Sequence, residues 1–262
     1  MTLATQGPAI TQAATAPAVR RSPLEGTHAA LRVQWISETA HWPAHYGSPD
    51  AEREALGRGV SLADIGPFDK LLVHGPGALA AVRSLGLDAR PGTVQPLTVP
   101  VVVNVWSIAD DEVLLVLPAT ELRALLPAQM RSVGPDELAD RLRRAGLAVT
   151  DVSSGLATFR LIGPAVGSLL EEACAVDLSP DAVPDLAIVQ AILAGDRVIL
   201  ARRDHGALPA FVLAVARDDA QHLWESLLEL GRPFGIQVVG GLAATPPAIA
   251  SLQAAAVTSG PR

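Results

Sequence analysis

The chain has 262 residues, enough for a buried core, and at 49% apolar but only 3% aromatic that core must be built from Leu, Val, Ile and Ala. A net charge of −7 without a Lys/Arg cluster excludes the basic face that neutralising nucleic-acid phosphates requires. No apolar run reaches the roughly 18 residues of a membrane span, and the lone Cys174 excludes an intramolecular disulfide. These features predict a soluble, cytoplasmic protein with no nucleic-acid or membrane partner.

Residues 1–25, rich in Ala, Thr, Pro and Gln and lacking periodicity, read as a disordered tail. The run from Thr27 to Trp42 reads as a short helix or strand closed by Pro43. His41 and His45 have the i, i+4 spacing of a helical metal pair, but Pro43 lies between them and no third ligand accompanies them, so no metal is expected. Glu52 to Gly59 is a short predicted helix. DKLLVH reads as a strand, GPGALAAVRSLGL as a turn and helix, and ARPGTVQP as a loop of breakers. VPVVVNVWSI and EVLLVLP are strands joined tightly at Ala109, Asp110 and Asp111. Thr120 to Met130 reads as a helix capped by Thr120, and a second helix runs from Pro135 to a stop at Gly146.

The second half repeats this plan. LATFRLI is a strand, and GPAVGSLLEEACAV a turn and helix, with Cys174 read as a small core residue. IVQAILAG, DRVILARRD and ALPAFVLAVA are strands, and Asp204, His205 and Gly206 form a polar turn between the last two. DDAQHLWESLLELG is a helix with Asp218 and Gln221 at capping-box spacing. Its apolar face carries Leu223, Trp224, Leu227 and Leu228, and Gly231 closes it.

The organising feature is a repeat: DIGPFDKLLVHGPGALAAV, from Asp64 to Val82, returns as DVSSGLATFRLIGPAVGSLL, from Asp151 to Leu170. Each copy is an aspartate, an apolar strand, a Gly-Pro turn and an amphipathic helix. The expected fold class is α+β: two ferredoxin-like (βαββαβ) units, about 60–146 and 147–242. Together they make a single domain over 26–242, followed by a mobile tail over 243–262.

The order of these motifs resembles the glycine-cleavage T-protein (aminomethyltransferase) superfamily. Pro43 with Tyr46, Glu52, Leu62 with Asp64, and GPGA at Gly75 to Ala78 carry the likeness in the first half. The second half is similar to the sarcosine oxidase gamma subunit in DVSSGLATFRLIGPAV, AVDLSPDA and FVLAVARDDAQHLWESLLELG. The resemblance implies the T-protein folate-binding domain without its C-terminal barrel. It also implies a pocket that this chain has altered. Where the family has a reactive-site aspartate, the residues around Val101 to Val103 are apolar and Asn104 is the nearest polar side chain. Where a family Glu grips the pterin after a Phe, this chain has Phe211 followed by Val212, and the Arg after Gly-Leu-x-Ala is missing from GGLAATPP. Valine supplies none of a carboxylate's charge-assisted bidentate contact.

The catalytic residue is therefore unassigned, with Asn104, Tyr46 and His45 as candidates. Trp106, Phe211 and Val212 are candidate pocket residues, and Asn104 and Trp106 face the same way on one strand. Neither an esterase elbow, a Walker loop nor a dinucleotide fingerprint is present. The favoured function is a non-catalytic or accessory subunit of amine or one-carbon metabolism, partnered by flavoprotein subunits. It is expected to carry no cofactor, tetrahydrofolate included. The alternatives are a stand-alone enzyme using the emptied pocket for another small molecule, or a divergent tetrahydrofolate-dependent methyl or aminomethyl transferase.

Overall fold

Alternation along the strands builds the layers. In a computed structural model describing residues 20–36, 40–66, 68–84, 89–97, 103–117 and 134–244, the chain forms an α+β fold around two sheets. An N-terminal segment comprises β1 (Arg20–Arg21), α1 (Glu25–Ala30), β2 (Gln34–Trp35), β3 (Ala40–His41), β4 (Pro43–His45) and α2 (Pro49–Ala55). The first half continues through β5 (Ser61–Asp64), β6 (Asp69–His74), α3 (Ala78–Ser84), β7 (Thr93–Leu97), β8 (Val103–Ala109), β9 (Glu112–Leu117) and α4 (Pro135–Arg144). The second comprises β10 (Ala148–Asp151), β11 (Leu156–Ile162), α5 (Val166–Ala173), β12 (Ile188–Leu193), β13 (Asp196–Arg202), β14 (Ala210–Ala216) and α6 (Ala220–Leu230). It ends with β15 (Gln237–Val238) and α7 (Gly241–Ala244).

The first sheet has the order β10-β6-β9-β8-β7 and the second β12-β13-β14-β11-β5-β15. Each borrows a strand from the other half of the sequence: β10 pairs antiparallel with β6 at the edge of the first sheet, and β5 pairs antiparallel with β11 and parallel with the short edge strand β15 in the second. The two repeat aspartates end these borrowed strands in the same way. Asp64 Oδ1 accepts from Gly66 N at 2.7 Å and Asp151 Oδ1 from Ser153 N at 2.8 Å, each closing a local side-chain turn. The residues between them cross reciprocally, Ile65 N donating to Thr158 O at 3.0 Å and Val152 N to Lys70 O at 2.9 Å. The shared aspartate phrase thus marks where the chain passes between sheets. The Gly-Pro turns match too, with Gly75 and Gly163 at φ of 115° and 137°, a region that favours glycine.

Helices cover one face of each sheet. In the second, Phe159, Leu161, Phe211 and Leu213 meet Leu169 and Leu170 of α5 and Leu223, Trp224 and Leu227 of α6. In the first, Leu71, Val73, Val113 and Leu115 meet Leu79 and Val82 of α3 and Leu138 and Leu142 of α4. The opposite faces pack on each other through Val94, Trp106, Leu114 and Val116 from one sheet and Ala201 and Ala214 from the other. Cys174 is buried in the second sheet's core. No helix among the described residues is long and apolar enough to cross a membrane.

Several local expectations need correction. Described structure begins at Arg20, inside the segment read as a tail, and β1 pairs with β3. The helix expected at 52–59 is α2, which starts earlier because Pro49 occupies its first turn and Ser48 Oγ caps Ala51 N. The breaker-rich loop ARPGTVQP contributes an edge strand, β7, where a proline is tolerated. The Asp218–Gln221 capping box does not form. A 3₁₀ turn over Arg217–Asp219 moves the helix start to Ala220, and the Gln221 amide bonds forward to Glu225 at 2.9 Å. The helix expected at 120–130 lies outside the described residues.

Candidate functional site

Period-two alternation separates Asp64 and Phe211, on the helix-covered face of the second sheet, from Val212 on its inner face, which packs against Trp106 of the first sheet. On β5, Leu62 and Asp64 point toward the helices, and Asp64 is only 1% exposed. Its Oδ2 accepts from Ser22 Oγ and from His28 Nε2 at 2.8 Å, and its Oδ1 from Gly66 N. Three donors satisfy a carboxylate that burial would otherwise penalise. With Nε2–H turned to that carboxylate, Nδ1 of the His28 ring accepts from the Tyr46 hydroxyl at 2.8 Å. Burial, reinforced by the charges of Asp64 and Glu52, pushes the Tyr46 phenol well above its ordinary pKa, so it remains a donor. The Trp224 ring meets His28 edge-on at 5.3 Å, and Trp42 Nε1 donates to Asp64 O at 2.9 Å.

The rest of the Pro43–Glu52 stretch acts as a clasp. Glu52 accepts from Tyr46 N at 2.6 Å and from Gly240 N at 2.8 Å, tying the turn after β4 to the start of α7. A Cβ at Gly240 would lie 2.1 Å from Ala44 O, so only glycine permits this approach. His45 is half-buried and its Nδ1 has no partner among the described residues. His41 bonds Glu25 Oε1 at 2.6 Å and stacks on Trp35 at 5.2 Å. Its hydrogen bond is the leading cause holding the Glu25 carboxyl below the usual carboxylate range.

Asn104, Trp106 and Val212 belong to the face between the sheets. Trp106 is 3% exposed and packed in the apolar layer, with Val212 at its margin. Asn104 Oδ1 accepts from Arg203 Nη1 at 2.6 Å. Arg160 lies on this face too, in register with Val212 on one side and Ala63 on the other. Phe211 does not share it. Adjacent residues of a strand point oppositely, so Phe211 enters the helix-covered core, where the Arg202 guanidinium lies 5.9 Å from its ring centre. The six candidates thus separate into Tyr46, linked to the buried aspartate through His28, His45 on the neighbouring β4 without a side-chain partner among the described residues, Asn104, Trp106 and Val212 between the sheets, and Phe211 apart from these.

Sequence reading missed Ser22, His28, Arg160 and Arg203. Asp64 carried a signal, since it begins the repeat and belongs to the Leu-x-Asp phrase. Its partners lie 42 and 36 residues upstream with no pattern linking them, and Arg203 lies 99 residues from Asn104.

Two sheets packed face to face, antiparallel throughout except for the parallel β5–β15 pair, with helices outside and a buried carboxylate where the chain crosses from the second sheet to the first, define the class of domain. The chain matches the GCVT N-terminal domain family over residues 25–246 and belongs to that family. It is 28% identical over 225 residues to the aminomethyltransferase of Saccharopolyspora erythraea, covering 84% of this chain and 60% of that protein. The Streptomyces avermitilis aminomethyltransferase is 26% identical over 227 residues, with 85% and 60% covered. The chain therefore spans about 60% of the length of these curated relatives. Two solved structures share the fold. A chain of heterotetrameric sarcosine oxidase from Corynebacterium sp. U-96 superposes with a TM-score of 0.59 at 20% identity, covering 83% of this chain and 97% of that one. Aminomethyltransferase T from Bartonella henselae superposes at 0.64 and 19% identity, covering 87% and 61%.

Proposed function

We propose that this chain is a sarcosine oxidase gamma-like accessory subunit of cytoplasmic amine or one-carbon metabolism, in which the family's folate site has been lost. The observation that carries the reading is the environment of Val212. At the position where the resemblance calls for a pterin-binding carboxylate, a valine faces the buried Arg160 across the β11–β14 pair and borders the layer around Trp106. A pterin's guanidine-like edge needs an acceptor, and this surface presents apolar groups and a cation instead. Asn104, the nearest polar group to the reactive-site position, is engaged by Arg203 and has no titratable group for acid–base work.

The finer reading of the fold is a pair of ferredoxin-like (βαββαβ) units. It is supported by the matching orders β10-β6-β9-β8 and β5-β11-β14-β13, the second with its outer strand supplied from the N-terminal side. Flavoprotein subunits are the partners this reading requires, because the redox chemistry then lies on other chains. Purification of the tagged chain from its native extract under mild conditions tests the proposal. Co-purifying flavin-containing subunits in fixed ratio are the expected result. A chain recovered as a monomer or homo-oligomer with no flavoprotein attached would overturn it.

A further inference from the structure

The inner face of the second sheet carries positive charge that the described residues do not neutralise. Arg160 is 5% exposed, and its Nη1 and Nη2 donate to the carbonyl oxygens of Ala244 and Arg203, the latter at 3.1 Å. Both acceptors are neutral, and Nε has no acceptor among the described residues. Burial, followed by the like charge of Arg203, lowers the Arg160 pKa to about 10. A guanidinium buried against carbonyls and a second cation carries a cost that a carboxylate would ordinarily offset.

Arg203 lies at the more open end of this cluster. It spends Nη1 on Asn104 Oδ1, and no acceptor among the described residues takes its Nε or Nη2. Asp185 is the carboxylate whose charge reaches it, but Asp185 Oδ1 already accepts from Asp204 N at 3.0 Å. The neighbouring Arg202 differs, since its fork is closed on both oxygens of Asp204 at 3.0 and 3.1 Å. His205 adds a buried Nδ1 without a partner among the described residues, and burial and then Arg160 lower its pKa.

We propose that the Arg203 guanidinium, held in orientation by Asn104 and backed by Arg160, binds an oxyanion: the carboxylate or phosphate group of a small molecule. A planar pair of N–H donors, Nε and Nη2, without an acceptor among the described residues fits either group bidentately. The buried charge behind it strengthens the attraction where water is excluded. A chain of net charge −7 does not gather anions generally, so binding here has to come from local geometry. The inference is independent of the accessory-subunit reading, since it requires no partner chain.

The test is thermal unfolding and calorimetry of the full chain titrated with sodium phosphate and, separately, sodium succinate, against sodium chloride at matched ionic strength. At thirty times its dissociation constant the bound anion should raise Tm by about 4–8 °C. A response to phosphate alone identifies a phosphate group, a response to succinate alone a carboxylate, and either supports the site. Arg203→Gln should abolish the shift, Arg203→Lys should weaken binding about tenfold or more by losing the fork, and Arg143→Gln on exposed α4 should change nothing. Should Arg203→Gln fail to fold, a saturable shift of one arginine Nε–H resonance in the native chain gives the same reading. No response beyond chloride, an unmoved set of arginine resonances, or an undiminished shift in Arg203→Gln would overturn the proposal.

Discussion

Replacing Asp64 by Ala removes the acceptor around which the N-terminal segment closes. Three donors, Ser22 Oγ, His28 Nε2 and Gly66 N, lose their partner together, two of them in a fully buried site. Breaking a buried charged contact from one side costs about 3–5 kcal/mol, and relief from burying the carboxylate itself offsets part of that. The expected net loss is about 3 kcal/mol, or a Tm lower by roughly 6–12 °C for a domain of this size. Urea unfolding followed by tryptophan fluorescence is a suitable assay, because Trp42 and Trp224 both lie against the cluster. Tyr46→Phe removes a single donor from His28 Nδ1 and should cost only about 1 kcal/mol. An Asp64→Ala variant within about 0.5 kcal/mol of the native chain would refute the reasoning, since that is the range of an ordinary surface substitution.

Trp224 is fully buried between Phe159 and His28, so Trp224→Ala should cost roughly 3–5 kcal/mol; an unchanged denaturation midpoint would contradict its role as an anchor. His222 is exposed, and a hydrogen bond to Asp196, with that carboxylate's charge, raises its pKa above 6.5. The protonated form is favoured on folding, so its contribution is present below pH 6.5 and is lost as pH rises through the folded pKa. An NMR titration should place its midpoint above the ordinary value and lower it in Asp196→Asn, with Asp219 and Glu225 still raising it; a normal midpoint in the native chain would refute the pair.

Strand and helix positions were legible because apolar runs, Gly-Pro turns and the repeated aspartate phrase are local signals. The repeat was legible as a duplication, but that its two aspartates, Asp64 and Asp151, close equivalent turns at the crossings between sheets is seen only in the structure. The pairing of β5 and β10 with strands of the other half was not legible, because nothing in either names its partner. The same limit hid the site. Ser22 fell in a stretch with the composition of a tail, and His28 has no local feature that separates it from a solvated histidine. Phe211 and Val212 are adjacent in one motif, but strand alternation assigns them to opposite faces, Phe211 to the helix-covered core and Val212 to the face between the sheets. Asn104 was noticed as a polar residue on an apolar strand, but the arginine that engages it arrives only through the sheet–sheet contact.

Calorimetric titration of the purified chain with tetrahydrofolate tests the proposed loss of the folate site most directly. Each charge-assisted contact that the resemblance implies is missing would be worth on the order of 1.5–3 kcal/mol, so on this proposal losing three weakens binding by several orders of magnitude. The account predicts no measurable heat of binding at micromolar concentration. Binding tighter than about 10 μM would contradict it and restore aminomethyl transfer as the leading function.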